Sequence, residues 1–412
     1  MATLLVIVGL VIALLATYYA AAPHRSAKRL VSVDRFRATR RHLKAHIGEL
    51  FEQAIAEQKE SRADEDLALL TKPGWVPAEP LPLESVHLRL REETTGESLA
   101  QARAKVRDAL PRGEGGGEIE SYSEAIGLFD RPNIWFDSSS YRLLNAEITA
   151  EETSGMLLEF SLARYFDAQD TTEFLGYELS DRHARGKTEI TRGGYRKWLE
   201  DPFDLGRRCG VTGINALTIR QSPGDTYFFM HRRDAAQVAV GMNTTHVAPA
   251  GEFQPHNDVL PVWKSDLDIW HSVMREYAEE FLAVPEVTGR GGFIIDYDRD
   301  APYREFNKAR RTGDVQVRFL GLGVDPLTWK PEICVVCVWK ASAFDRTFSK
   351  MVERNEEGLL ITGERGTRGY KGLPFTADNV LGYADQPTTL PAGRTCLKLA
   401  WRWRHSLGLT VD

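Results

Sequence analysis

Apolar residues recur along this chain at two spacings, and the places where one spacing gives way to the other outline its elements. Ile214–Ile219, Tyr227–His231 and Gln237–Met242 are short apolar runs bounded by Gly213, by the turn Ser222-Pro223-Gly224-Asp225 and by charged residues, which predicts strands. Pro249-Ala250-Gly251 reads as a loop, and a helical pattern follows in which Trp270, Val273, Met274, Tyr277 and Phe281 share one stripe. Glu276, Glu279 and Glu280 stand about 120° around the same helix, at i, i+3 and i+4, so three carboxylates share a face. Farther on, Phe293–Asp296, Val315–Leu322 and Ile333–Trp339 predict strands, and Tyr303–Arg311 and Phe344–Arg354 predict helices. Strands alternating with helices indicate α/β or α+β layers.

The amino-terminal pattern is different. Ala2 to Ala22 is 21 residues without a charge, and a helix of that length rises ~30 Å, the thickness of a bilayer's hydrocarbon core. Tyr18 and Tyr19 stand near its end, and His24, Arg25, Lys28, Arg29, Arg35, Arg37, Arg40 and Arg41 follow. Because the basic flank lies on the carboxyl side, the positive-inside rule predicts a single-pass anchor at the cell membrane with a cytoplasmic soluble body. Ala20-Ala21-Ala22 also resembles a signal-peptide cleavage site, but no basic residue precedes the apolar run, which exceeds the usual length.

Ser32–Lys59 has helical spacing, with Phe36, Leu43, Ile47, Leu50 and Phe51 forming either a seam for homo-oligomerisation or a face that packs on the chain itself. Four prolines surround Trp75 in Thr71–Pro82, an extended segment, and Val86–Arg91 alternates as a strand does. The predicted layout is an anchor over 1–23, a basic juxtamembrane helical stalk over 24–70, and a Pro- and Gly-rich linker with a short strand over 71–121. An α+β flank over 122–205, the strand–loop–helix domain over 206–345 and a helical extension over 346–412 complete it.

Composition narrows the function. The net charge is −6 despite the basic flank, so the body is acidic, which argues against general nucleic-acid binding. Four cysteines make no disulfide framework, and Cys334 and Cys337, although spaced as CxxC, face opposite sides of a predicted strand. The carboxylate helix is the best candidate for chemistry. Three like charges on one turn repel, and a hard divalent cation such as Mg²⁺ relieves that repulsion; a solvated helix face is the plain alternative.

Arg275-Glu276-Tyr277-Ala278-Glu279-Glu280 resembles the second half of the Nudix signature, and Pro249-Ala250-Gly251-Glu252-Phe253-Gln254-Pro255 resembles the loop that carries its first glycine. Gly251 lies 24 residues before Arg275, a longer gap than the family's, Leu267 stands where the separate upstream glutamate should fall, and Leu282 replaces the late glycine. The resemblance implies a Nudix-like α/β/α sandwich with a mixed sheet. It implies Mg²⁺ or Mn²⁺ held by Glu276, Glu279, Glu280 and the Gly251 carbonyl, with Arg275 orienting the glutamates and Glu276 or Glu279 serving catalysis. Glu252, Asp266, Asp268, Asp296 and Asp298 are the candidates for a missing ligand. Arg232 and Arg233, at the end of the second strand, are placed to meet substrate phosphates, or form a charged turn.

The implied activity is hydrolysis of a nucleoside-diphosphate-linked small molecule at the membrane. The alternative is a catalytically inactive nucleotide-binding sensor that signals through the anchor. From about Tyr122 onward the chain also resembles an actinobacterial module found behind helix-turn-helix heads, through Tyr141-Arg142-Leu143-Leu144, Tyr165-Phe166-Asp167, Phe229–Asp234 and Gly321–Pro326.

Overall fold

A computed structural model describes residues 33–92, 96–113, 117–149, 155–187, 194–233, 244–285, 294–354, 358–363, 365–366 and 369–409. The predicted anchor, Ala2–Ala22, and the strand Gln237–Met242 lie outside these residues. No helix among the described residues is long and apolar enough to cross a membrane.

The chain enters through helices α1 (33–45) and α2 (Ile47–Glu57), then runs into β1 (Leu81–Pro82) and β2 (Val86–Leu90). Helices α3 (Gly96–Arg107) and α4 (Tyr122–Phe129) lead to the hairpin β3 (Ser139–Thr149) and β4 (Gly155–Arg164). A short α5 (Tyr165–Ala168) passes through a π turn into α6 (Phe174–Ala184), followed by α7 (Tyr195–Leu199). Next come β5 (Gly213–Ser222), β6 (Asp225–Phe228), β7 (Met230–Arg233), β8 (Thr245–Val247) and β9 (Ala250–Glu252). Helices α8 (Leu260–Ser265), α9 (Ile269–Glu276) and α10 (Tyr303–Arg311) precede β10 (Val315–Val324), β11 (Pro331–Lys340) and α11 (Ala341–Thr347). Strands β12 (Gly358–Ile361), β13 (Arg365–Gly366), β14 (Gly369–Tyr370) and β15 (Leu373–Pro374) then lead to α12 (Ala377–Ala384) and α13 (Pro391–Arg402).

The main sheet is mixed, in the order β1-β10-β11-β5-β6-β15, and β9 shares the edge of β5 with β6. Only β11 and β5 run parallel in it; the remaining pairs are antiparallel. Period-two alternation along β11 gives the sheet two apolar faces. Ile333, Val335, Cys337 and Trp339 pack toward α9, α10 and α11, whereas Cys334, Val336 and Val338 pack toward α12 and α13. Cys334 and Cys337 thus lie on opposite faces, and all four cysteines are buried thiols. The fold is α+β, a mixed sheet with helices on both faces, accompanied by the smaller sheets β2-β4-β3 and β12-β7-β8.

Several expectations change. Residues 33–57 are not a free stalk, because their apolar seam is spent on the chain itself. Phe36 meets the rings of Tyr122 and Tyr177, and Leu43, Ile47, Leu50 and Phe51 pack with Leu179 and Leu327. A self-association seam at these residues is therefore not available. Trp75 docks as well, edge-on to Phe203, and one apolar cluster runs from Phe36 to Leu360 across the predicted domain boundaries. The run Tyr227–His231 breaks at Phe229, where the chain leaves the main sheet for β7 in the second one. Residues 294–296 are not a strand, and the helix expected at Phe344–Arg354 begins at Ala341 instead. Starting there sets Phe344 and Phe348, one turn apart, edge-on to Trp339, 6.3 and 5.2 Å between centroids.

Candidate functional site

Helix α9 starts at Asp268, whose side chain accepts a hydrogen bond from the His271 backbone N–H at 2.9 Å. Trp270, Val273, Met274, Tyr277 and Phe281 are all buried, as their spacing predicts. Tyr277 fixes the helix to the sheet: its hydroxyl lies 2.7 Å from Thr218 Oγ1 and accepts from Trp339 Nε1 at 3.1 Å. Past Glu276 the helix widens into a π turn, Tyr277–Phe281.

That widening redistributes the carboxylates. In an unbroken α-helix the three would share one face, and the wider turn changes that spacing. Glu276 and Glu280 both meet the β9 loop: the carboxylate of Glu276 lies over Gly251, and Glu280 Oε1 accepts from the Ala250 backbone N–H at 3.0 Å. A Cβ added to Gly251 would sit 2.2 Å from Glu276 Oε1, so only glycine admits this approach. Glu279 is partly exposed, and its charge adds to the burial that pushes the Tyr303 phenol up to about 12. Glu280 is buried, 2% exposed, with His231 Nδ1 3.9 Å from its Oε2. Two of the three expected carboxylates therefore meet the loop, and Glu279 is partly exposed near Tyr303. Among the described residues no group of three or more His, Cys, Asp or Glu side chains is placed to hold a metal ion.

Gly251 and the helix meet although a long segment separates them, because the base of that segment is stapled. Asp266, fully buried, accepts from the His256 backbone N–H at 2.8 Å and from Tyr297 OH at 3.0 Å, and its Oδ2 lies 2.5 Å from His256 Nδ1. Arg275 Nη1 lies 3.3 Å from the same carboxylate and donates to Tyr297 OH at 2.5 Å, while Nη2 donates to the Gln254 carbonyl at 2.5 Å. Burial opposes the charge on Asp266, yet the His256 hydrogen bond and the Arg275 charge hold its carboxyl below the usual range. Burial likewise works against Arg275, and Tyr297 and Asp266 outweigh it, leaving the guanidinium raised. Arg275 is thus committed to closing the insertion, not to orienting the glutamates as expected, and Asp266 is a structural anchor in place of a missing ligand. Asp268 is a helix cap, and Leu267 packs beside the core. Asp296 and Asp298 lie on an exposed turn, with Asp298 bonded to Arg311 at 2.6 Å.

The two arginines expected at phosphates lie on β7, where His231 turns inward toward Glu280 and Arg232 is exposed on the other side, close enough to Tyr383 to lower its phenol's pKa. Burial outweighs that charge and leaves the Tyr383 phenol raised. The structure therefore does not bring Arg232 to the carboxylates. Arg233 pairs with Gly358 in the strand register.

A second ionic group, not anticipated from the sequence, adjoins Gly251. Lys330 Nζ donates to Glu252 at 2.7 Å and lies 4.0 Å from Glu332, which accepts from Asn215 Nδ2 at 2.8 Å. Burial pushes Glu332 up to about 7 against the pull of Lys330, and it does the same to Glu173. For Lys330 burial lowers the pKa, but Glu252, Glu332 and Glu173 together raise it. The signal in the sequence was Lys330-Pro331-Glu332 opening a buried strand, where charges need partners. Compared with models of known protein families and with curated proteins, the chain matches none.

Proposed function

We propose that the chain is a Nudix-type hydrolase acting on a nucleoside-diphosphate-linked small molecule, held at the cytoplasmic side of the cell membrane by Ala2–Ala22. The observation that supports this most is the seating of the Glu276 carboxylate on the Gly251 backbone, which unites the two halves of the motif across a 24-residue separation. Glu276 and Glu279 are partly exposed beside that loop, and Mg²⁺ is commonly bound through one or two carboxylates together with substrate phosphates. A Mg²⁺ or Mn²⁺ ion that arrives with the diphosphate would take Glu276 as its protein ligand; the Gly251 carbonyl, the other ligand the resemblance implies, faces Ile214 across the β5–β9 ladder. Such an ion supplies neutralisation of the phosphate oxygens and a lowered pKa for water. Glu279, partly exposed on the same helical segment, is the carboxylate to which we assign proton transfer, as the resemblance implies. Glu280 and Arg275 hold the loop and the insertion in place.

A second reading is a sensor that binds such a ligand without turning it over. It is favoured by the spending of Glu280 and Arg275 on structural bonds and by Leu267 at the upstream glutamate position. The test uses the full chain and its Glu276→Gln and Glu279→Gln variants on a panel of nucleoside diphosphate derivatives in Mg²⁺ and in Mn²⁺. Turnover by the parent that both variants lose supports the hydrolase. Thermal stabilisation by one compound without turnover supports the sensor. Neither response would overturn both.

A further inference from the structure

Exposed apolar side chains gather where the chain enters its folded body. Helix α1 begins at Val33, and its first turn packs on the end of α4: Phe36 meets Phe129 edge-on at 6.0 Å, and Arg37 Nε donates to the Phe129 carbonyl at 3.3 Å. Leu128, beside Phe129, is 59% exposed. A few residues on, Trp135 turns inward onto Phe166, and a Cβ on Gly127 would lie 3.3 Å from its indole nitrogen. Its neighbours Ile134 and Phe136 are 48% and 43% exposed, in the segment that Trp135 ties to Gly127, the residue before Leu128. Three of the six large exposed apolar side chains among the described residues therefore flank this one Gly127–Trp135 contact.

Its charges favour one kind of partner. Arg37 and Arg131 are exposed here. The acids that bracket the segment are neutralised, Asp130 by Arg40 at 2.9 Å and Lys44 at 3.0 Å, and Asp137 by Arg164 at 3.0 Å. Directly upstream of Val33 the sequence carries Arg25, Lys28 and Arg29, and before them the uncharged run Ala2–Ala22. The connecting residues, even fully extended at ~3.5 Å each, keep Val33, where α1 begins, within ~40 Å of that run. Exposed apolar side chains with Arg37 and Arg131 beside them, and with the exposed acids Asp34 and Glu124 each a helical turn away, suit the interface of an anionic bilayer, where the apolar groups enter the headgroup layer and the cations meet lipid phosphates.

We propose that the face formed by Leu128, Ile134 and Phe136 with Arg37 and Arg131 rests on the anionic bilayer into which the anchor inserts, fixing how the body is oriented. The inference rests on the reading of Ala2–Ala22 as a membrane anchor. Because the four native cysteines are buried, an introduced exposed cysteine can be labelled selectively. The test reconstitutes the full chain into phosphatidylcholine vesicles with and without phosphatidylglycerol. Ile134→Cys and, separately, Phe136→Cys carry a polarity-sensitive fluorophore; Ile294→Cys, elsewhere on the surface, serves as the control. The expected result is co-flotation with the vesicles. In anionic vesicles, emission should shift to the blue and be quenched by brominated lipid at 134 and 136, and neither should occur at 294. Flotation without quenching at 134 and 136 overturns the orienting face and leaves the anchor standing. Quenching at all three positions also overturns the orienting face. Failure to float overturns the anchor and the proposal together.

Discussion

Asp266→Asn tests the staple that brings the two halves of the site together. The substitution keeps the shape of the side chain and one acceptor oxygen but removes the charge opposite Arg275, whose side chain is only 7% exposed. Breaking one partner of a buried ion pair costs ~3–5 kcal/mol, because the survivor is left charged and uncompensated. The new amide nitrogen also faces donors, since Asp266 receives hydrogen bonds from the His256 backbone and from Tyr297. The retained oxygen offsets part of this, so a loss of ~3 kcal/mol is expected. Arg275→Met removes the other charge, and in the double variant neither charge is stranded. The two single losses should therefore exceed the loss in the double variant by ~1–3 kcal/mol, the coupling range of residues in one network. Urea unfolding followed by tryptophan fluorescence reads all four proteins. The acid limb gives an independent check: the Asp266 carboxyl is held below its unfolded value, so its contribution is present above that value and lost as pH falls through the folded one. Asp266→Asn should lack that part of the acid dependence. Additivity of the two substitutions to within ~0.5 kcal/mol would refute the staple.

Three more outcomes are expected. Gly251→Ala should change stability by less than ~1 kcal/mol, since the colliding atoms end a partly exposed side chain, yet displacing Glu276 should lower any turnover on the order of 100-fold; paired thermal unfolding and kinetics separate the two. Phe36→Ala, at a side chain with no exposed surface, should destabilise global unfolding in denaturant by ~3–5 kcal/mol, whereas a free stalk would lose nothing. Glu332 is raised to about 7 on folding, so the stability it favours is present below its unfolded value and is lost as pH rises toward 7. Glu332→Gln should flatten the stability–pH profile between pH 4.5 and 7, a change of ~3 kcal/mol at a slope of up to about 1.4 kcal/mol per pH unit; an unchanged profile would count against the cluster.

The legible parts of this fold were those governed by local periodicity. The buried stripe from Trp270 to Phe281, the strands containing Ile214–Ile219 and Ile333–Trp339, and helix α10 with both its ends follow from spacing alone. What stayed hidden depended on partners distant in sequence. The π turn at Tyr277–Phe281 follows from no spacing rule, and it decides which glutamates meet the loop. The seam from Phe36 to Phe51 is equally suited to a second copy or to α6, and only tertiary packing chooses between them. The staple joins Gln254, His256, Asp266, Arg275 and Tyr297, polar residues scattered over an insertion whose sequence carries no periodic signal. Arg232 was misplaced because one apolar run proved to be two strands in different sheets, broken at Phe229.

The parallel pairing of β5 with β11 also has a consequence for synthesis of the chain. β5 ends at Ser222 and its partner begins at Pro331, with most of the candidate site encoded between them. At ~5–20 residues per second, one edge of β5 waits on the order of 5–20 s after translation for its neighbour. During that wait β6 and β9 can cover the opposite edge, but the edge reserved for β11 stays open along Ile214, Ala216 and Leu217. An open apolar edge recruits other strands. A ribosome-bound chain halted before Pro331 is thus the form of this protein most exposed to aggregation and most in need of a chaperone.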